Sequence, residues 1–90
     1  SNAKIGRFCK ININASVMHD CTIGDFTTVA PHAVILGYVN VGRNCYIGSN
    51  ATILPNTDIC ENVIIGAGSV VTKSISIPGK YSGVPAKLMN

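Results

Sequence analysis

From Ile5 to Ile77 every sixth residue is isoleucine or valine, without a break: Ile5, Ile11, Val17, Ile23, Val29, Ile35, Val41, Ile47, Ile53, Ile59, Ile65, Val71 and Ile77. A period of six suits neither the 3.6-residue turn of a helix nor the two-residue alternation of a lone strand. It suits a strand-plus-corner unit repeated around a polygon. A second set stands two places before each landmark: Cys9, Ala15, Cys21, Thr27, Ala33, Val39, Cys45, Ala51, Thr57, Val63, Ser69 and Ile75. Residues two apart on a strand share a face, so both sets point inward, and the small members imply a narrow interior. Three places after a landmark come Asn44, Asn50, Asn56, Asn62 and Gly68; one place after it come Gly6, Gly24, Gly42, Gly48 and Gly66. Asn and Gly tolerate positive φ, so a type II-like corner is expected once per six residues.

Ninety residues allow one domain with a modest core, and a repeat stack eases that limit because each unit buries its neighbour's face. Ser1-Asn2-Ala3 reads as an expression-tag scar, residues 4–79 as the repeat domain and residues 80–90 as a tail. Lys4 follows the scar with no initiator Met, so the natural protein is expected to carry a further N-terminal domain. No run of 18 apolar residues occurs, which argues against a membrane span. The net charge of +3 is spread over scattered lysines and arginines, which argues against nucleic acid as a partner. Cys9, Cys21 and Cys45 fall at inward positions and read as core thiols packed like small hydrophobes. Reduced thiols of this kind suit the cytoplasm.

The string Val17-Met18-His19-Asp20-Cys21-Thr22-Ile23-Gly24-Asp25-Phe26, followed by Val29-Ala30-Pro31, resembles one branch of the hexapeptide-repeat acyltransferases. That branch comprises the sialic acid O-acetyltransferases and the bacterial nucleotide-amino-sugar N-acetyltransferases. Ile65-Gly66-Ala67-Gly68-Ser69-Val70-Val71 and Gly83-Val84-Pro85-Ala86-Lys87 resemble features widespread among hexapeptide acetyltransferases. The resemblance implies an all-β fold, a left-handed parallel β-helix of slightly more than four triangular coils with 18 residues to a coil. Residues 18 apart then stack about 4.8 Å from coil to coil. Cys9 and Cys45, two coils apart at about 10 Å, are too distant for a disulfide.

With coils of 18, the outward strand residues sort into three sides. One reads Thr22, Asn40, Asp58, Ser76 and is wholly polar; another reads Ser16, Val34, Thr52, Val70; the third reads Lys10, Thr28, Tyr46, Ile64. Two semi-apolar sides suit a homotrimer, in which each subunit meets two neighbours.

The resemblance also implies an acetyl-CoA-dependent enzyme with direct transfer to a sugar amine or hydroxyl, His19 being the general base. Imidazole titrates near neutrality and suits removal of an acceptor proton. Asp20 is the candidate to orient the ring. Gly37, one coil after His19, is a candidate backbone donor to the tetrahedral oxyanion. Ser49 and Ala67, in one column with Pro31 before and Pro85 after, match the family's main-chain contacts to the pantetheine arm. Thr28 stands where many members of the branch carry a second His, and its hydroxyl is a candidate contact at the cofactor or substrate end. The branch's N-terminal unit, Rossmann-like, holds the acceptor sugar. His32 reads as a solvated turn residue, as do Lys80 and Lys87 as solvated lysines. Phe8 and Phe26, stacked where Asn or Gly would be easiest, suggest contact with a partner surface. No metal is expected: a zinc enzyme of the β-helical carbonic anhydrase type needs three His ligands, and the chain has two histidines. The alternative to an enzyme is a noncatalytic β-helix used for assembly, which has no need of His-Asp at a corner.

Overall fold

The computed structural model describes residues 2–89. The first strands among them are β1 (Lys4–Ile5), β2 (Lys10–Ile11), β3 (Ser16–Val17), β4 (Thr22–Ile23), β5 (Thr28–Val29), β6 (Val34–Ile35) and β7 (Asn40–Val41). They continue as β8 (Tyr46–Ile47), β9 (Thr52–Ile53), β10 (Asp58–Ile59), β11 (Val63–Ile65), β12 (Val70–Val71), β13 (Gly79–Ser82) and β14 (Lys87–Leu88). Up to β12 every third strand pairs in parallel; with β13 joining β11 in parallel and β14 antiparallel to β13, this gives sheet A (β1-β4-β7-β10), sheet B (β2-β5-β8-β11-β13-β14) and sheet C (β3-β6-β9-β12). The result is a parallel β-helix of about four turns, a prism with extents of 34 × 21 × 20 Å. Its three sides are the three sheets and its vertices are the corners between them.

The landmarks do what their period requires. Ile23, Ile35, Ile47, Ile53 and Ile65 are fully buried along the axis, each worth on the order of 2 kcal/mol in area removed from water. The small inward residues do more than fill space. Cys9 Sγ donates to the Gly24 carbonyl at 3.1 Å, Cys21 Sγ to Leu36 at 2.9 Å and Cys45 Sγ to Cys60 at 3.2 Å. Thr27 Oγ1 makes the equivalent bond to Gly42 at 2.8 Å. Each satisfies a corner carbonyl of the next coil that no backbone amide reaches. At the corner between sheets B and C the local amides of Ala33 and Ala51 bond the equivalent carbonyls of Ala30 and Gly48, and alanine suffices. Burial pushes the Cys45 thiol up, which keeps it protonated and donating. All four cysteines are free.

Each full six-residue corner through Gly68 places one residue in the left-handed region, from Asn44 at φ 55° to Gly68 at φ 71°. The amide of that residue reaches back one coil, as Phe26 does to the Arg7 carbonyl at 2.9 Å. Successive corners touch so closely that a Cβ on Gly24 would lie 2.5 Å from the Arg43 nitrogen, which is why glycine recurs one place after the landmark.

The period of 18 fails once. Ile64 pairs with Tyr46 one coil back but with Lys80 only 16 residues ahead. Two residues are missing from the corner after Val71, and Ile75, not Ile77, bridges to Ile59 as the inward landmark. Ile77 is left 60% exposed, its carbonyl accepting from the Tyr81 hydroxyl at 2.7 Å. The expected placement of Ile77 in the core is therefore corrected. Ser76 likewise leaves the Asp58 column, where Ser74 stands instead with its hydroxyl 2.9 Å from the Asp58 amide. The sequence boundary at residue 80 also falls inside a strand, since β13 crosses it and β14 returns antiparallel to it.

Candidate functional site

His19 stands at the vertex between sheets C and A, in the turn that links β3 to β4. Asp20 follows in the left-handed position with φ 58°. That bend brings the neighbouring side chains together, with His19 Nδ1 3.3 Å from Asp20 Oδ2. Nδ1 then donates to the carboxylate, and Nε2 is the nitrogen left with a lone pair. The imidazole is 52% exposed and its carboxylate partner 39%.

One coil on, Gly37 lies against the ring. A Cβ there would fall 2.7 Å from His19 Cε1 and 2.9 Å from Nε2. Only a glycine leaves the imidazole this seat. The Gly37 amide has no hydrogen-bond partner among the described residues, while its carbonyl accepts from Asn56 at 3.0 Å. A free N–H beside a free imidazole nitrogen is a donor next to a base, the pair that acyl transfer requires. Tyr38 completes the surroundings, its ring edge-on to the imidazole with centroids 5.2 Å apart and planes at 85°. Sequence reasoning passed over Tyr38, although it stacks on Asp20 one coil later.

Ser49 and Ala67 occupy the vertex between sheets B and C. Their amides also lack partners among the described residues, and the Ser49 carbonyl accepts from Gly68 at 2.8 Å. The column runs on to Gly83 rather than Pro85, because of the shortened coil: the Ser82 side chain faces Gly66, and the Gly83 amide reaches Ser69 Oγ at 3.0 Å. Pro85 is thus removed from the column in which it was expected. This vertex is bare backbone with small side chains, open to close approach by an extended chain that offers carbonyls.

Thr28 lies outward on sheet B between Lys10 and Tyr46. It lines a groove of about 340 Å³ with Phe26, Asn44, Cys45, Tyr46, Asn62 and Ile64. Sheet B is the side of the prism opposite the His19 vertex. One chain therefore gathers His19, Asp20 and Gly37 but leaves Thr28, Ser49 and Ala67 elsewhere. His32, at a corner with φ 64°, is exposed. Phe8 and Phe26 stack at the third vertex with centroids 5.3 Å apart, and the Arg43 guanidinium sits 5.9 Å from the Phe26 ring.

The bacterial transferase hexapeptide family (six repeats) matches residues 2–37 and 38–73. GDP-perosamine N-acetyltransferase of Escherichia coli O157:H7 is 54% identical over 39 residues, 43% of this chain and 18% of that protein. A mutant perosamine N-acetyltransferase from Caulobacter crescentus, solved in complex with CoA and GDP-perosamine, superposes with a TM-score of 0.97 at 32% identity. That match covers 100% of this chain and 43% of the other. The acetyltransferase domain of PglB from Neisseria gonorrhoeae FA1090, in complex with acetyl coenzyme A, gives a TM-score of 0.89 at 26% identity over 98% of this chain and 52% of that one. The chain thus spans only part of the length of the proteins it resembles.

Proposed function

The chain belongs to the bacterial transferase hexapeptide family, and from that premise we propose that it is the acetyl-CoA-dependent catalytic unit of a sugar N-acetyltransferase acting on a nucleotide-linked amino sugar. The observation that carries this reading is the vertex at His19: Nδ1 on Asp20, Nε2 free and the unpaired Gly37 amide alongside. The amine acceptor, rather than a hydroxyl, is supported by similarity to the perosamine N-acetyltransferases.

His19 Nε2 takes the proton of the acceptor amine as its nitrogen bonds the thioester carbonyl carbon. The Gly37 amide donates to the oxyanion as the tetrahedral centre forms. The carbon–sulfur bond then breaks, the amide product is released, and the imidazolium returns its proton to the thiolate of CoA. Asp20 holds the tautomer with the proton on Nδ1. The Ser49 and Ala67 amides receive the carbonyls of the pantetheine arm, and the Thr28 hydroxyl contacts the cofactor or the substrate.

One chain spreads these groups over two vertices and the side opposite the first, so the reading includes a homotrimer in which neighbours bring them together. Sheet B exposes Tyr46 and Ile64, and sheet C carries Val34 and Val70, apolar surface for two such contacts. Sedimentation at the mass of three chains is expected, and a monomer with full activity would refute the shared site. The chemistry is tested by following CoA thiol release from acetyl-CoA with a nucleotide-linked amino sugar, against the matching hydroxy sugar and against His19→Ala. Release that needs the amine and His19 supports the reading. Release unchanged in His19→Ala removes His19 as the base.

A further inference from the structure

The left-handed corner position is a place for Asn, Asp or Gly, and most corners obey: Asn14, Asp20, Asn44, Asn50, Asn56, Asn62 and Gly68. Tyr38 does not, at φ 60°. A bulky aromatic residue in that conformation carries backbone strain that the next residue in its own column, Asn56, avoids. Phe8 and Phe26 break the same rule but face each other, and His32, at φ 64°, is of a type that enters this region more readily. Tyr38 has one aromatic neighbour, the His19 ring.

His19 needs a third restraint. Its hydrogen bond to Asp20 joins two substantially exposed side chains, and contacts of that kind hold geometry poorly. Gly37 bounds the Cε1–Nε2 side of the ring by offering room there. The Tyr38 ring bounds it from another direction, set perpendicular to it.

We propose that Tyr38 is a positioning residue: with the space left by Gly37, it holds the His19 imidazole with Nδ1 on Asp20 and Nε2 presented to the acceptor. This rests on His19 as the base, and Tyr38 acts only through that ring. Backbone strain at residue 38 is the cost of fixing an exposed side chain in one orientation.

The chain's two histidines, His19 and His32, make a spectroscopic test tractable. The protein labelled with [15N]histidine reports the Nδ1 and Nε2 shifts of His19, and His32→Asn assigns them. Three variants are compared: Tyr38→Phe, which keeps the ring edge; Tyr38→Asn, which installs the residue the corner prefers; and Gly37→Ala, which keeps the amide but fills the seat. Tyr38→Phe is expected to match the parent in shifts and turnover. Tyr38→Asn is expected to move the His19 shifts toward those of free imidazole and to lower kcat by on the order of tenfold to a hundredfold. Its KM for acetyl-CoA should hold, and its melting temperature should stay level or rise. Gly37→Ala should displace the same shifts. Tyr38→Asn with unchanged His19 shifts overturns the proposal whatever the activity. If His19→Asn keeps full turnover, the base assignment fails, while the shifts in Tyr38→Asn still decide whether Tyr38 positions the ring.

Discussion

The vertex that carries His19 and the vertex that carries Ser49 and Ala67 are built from the same six-residue corner, yet they end as opposites. At the first, side chains crowd together: an imidazole, a carboxylate and a phenol ring converge over one glycine. At the second, the Ser49 and Ala67 column is small side chains on backbone whose amides have no partner among the described residues, flanked by His32 and Asn50 at the left-handed positions. The corner leaves the amide two places after the landmark free by construction, because strand pairing uses the one before it and the back-reaching bond the one after. What differs is what covers it. On the proposed reading the crowded vertex moves protons, and the other holds an extended chain through its carbonyls.

That contrast is open to attack from both ends. The largest effect is expected for His19→Asn, which should lower kcat by on the order of a hundredfold to ten-thousandfold and leave the KM for acetyl-CoA unchanged. An equal rise in KM would mean that both vertices do the same work. Ala67→Pro is the complement. Pro31 and Pro55 already occupy the equivalent turn position in other repeats, so the corner should accept proline, and the substitution removes only an unpaired N–H. Losing one hydrogen bond should raise the KM for acetyl-CoA by about three- to tenfold, with kcat and melting temperature nearly level. Steady-state kinetics with acetyl-CoA varied separates the two, and Ala67→Pro without effect on KM would strip the bare vertex of its role.

Much of this was legible beforehand because the fold is periodic. Landmarks, small inward residues and left-handed corners all follow from counting by six, and columns of 18 set Gly37 beside His19. The misplaced Ile77 shows where counting stops. Ile75 and Ile77 are both aliphatic and both satisfy the period, so the pattern is blind to two lost residues. Pairing decides, through Tyr81 opposite Ile65 and Ser74 at the Asp58 amide. The thiol bonds escaped notice because they link residues 15 apart, an offset with no echo in the hexad. Tyr38 was visible as a breach of the corner rule, but its reason lay in the ring of a residue one coil away.

The third vertex offers the smallest and most direct check on the free-amide idea. The Arg7 amide stands at the same turn position as those of Ser49 and Ala67, but here the chain supplies its own acceptor: Asp25 Oδ1 at 2.8 Å, with the Arg7 guanidinium at 3.5 Å from Oδ2. The hydrogen bond from the Arg7 amide is the main cause that holds the Asp25 carboxyl below its ordinary value; desolvation opposes it, and the charge on Arg7 adds a smaller lowering. A carboxylate depressed in the folded state contributes stability that is fully present above its unfolded pKa, about 3.9. That stability is lost as pH falls through the lower folded value. Asp25→Asn should therefore shift the melting temperature slightly at neutral pH and flatten its decline below about pH 4. The site is exposed, so the difference should be small, and parallel melting profiles for the two proteins would mean that this amide gains nothing from an anionic acceptor. A flattened profile would show that this corner amide gains from an anionic oxygen held against it, the donor capacity that the proposed reading gives to the Ser49–Ala67 vertex.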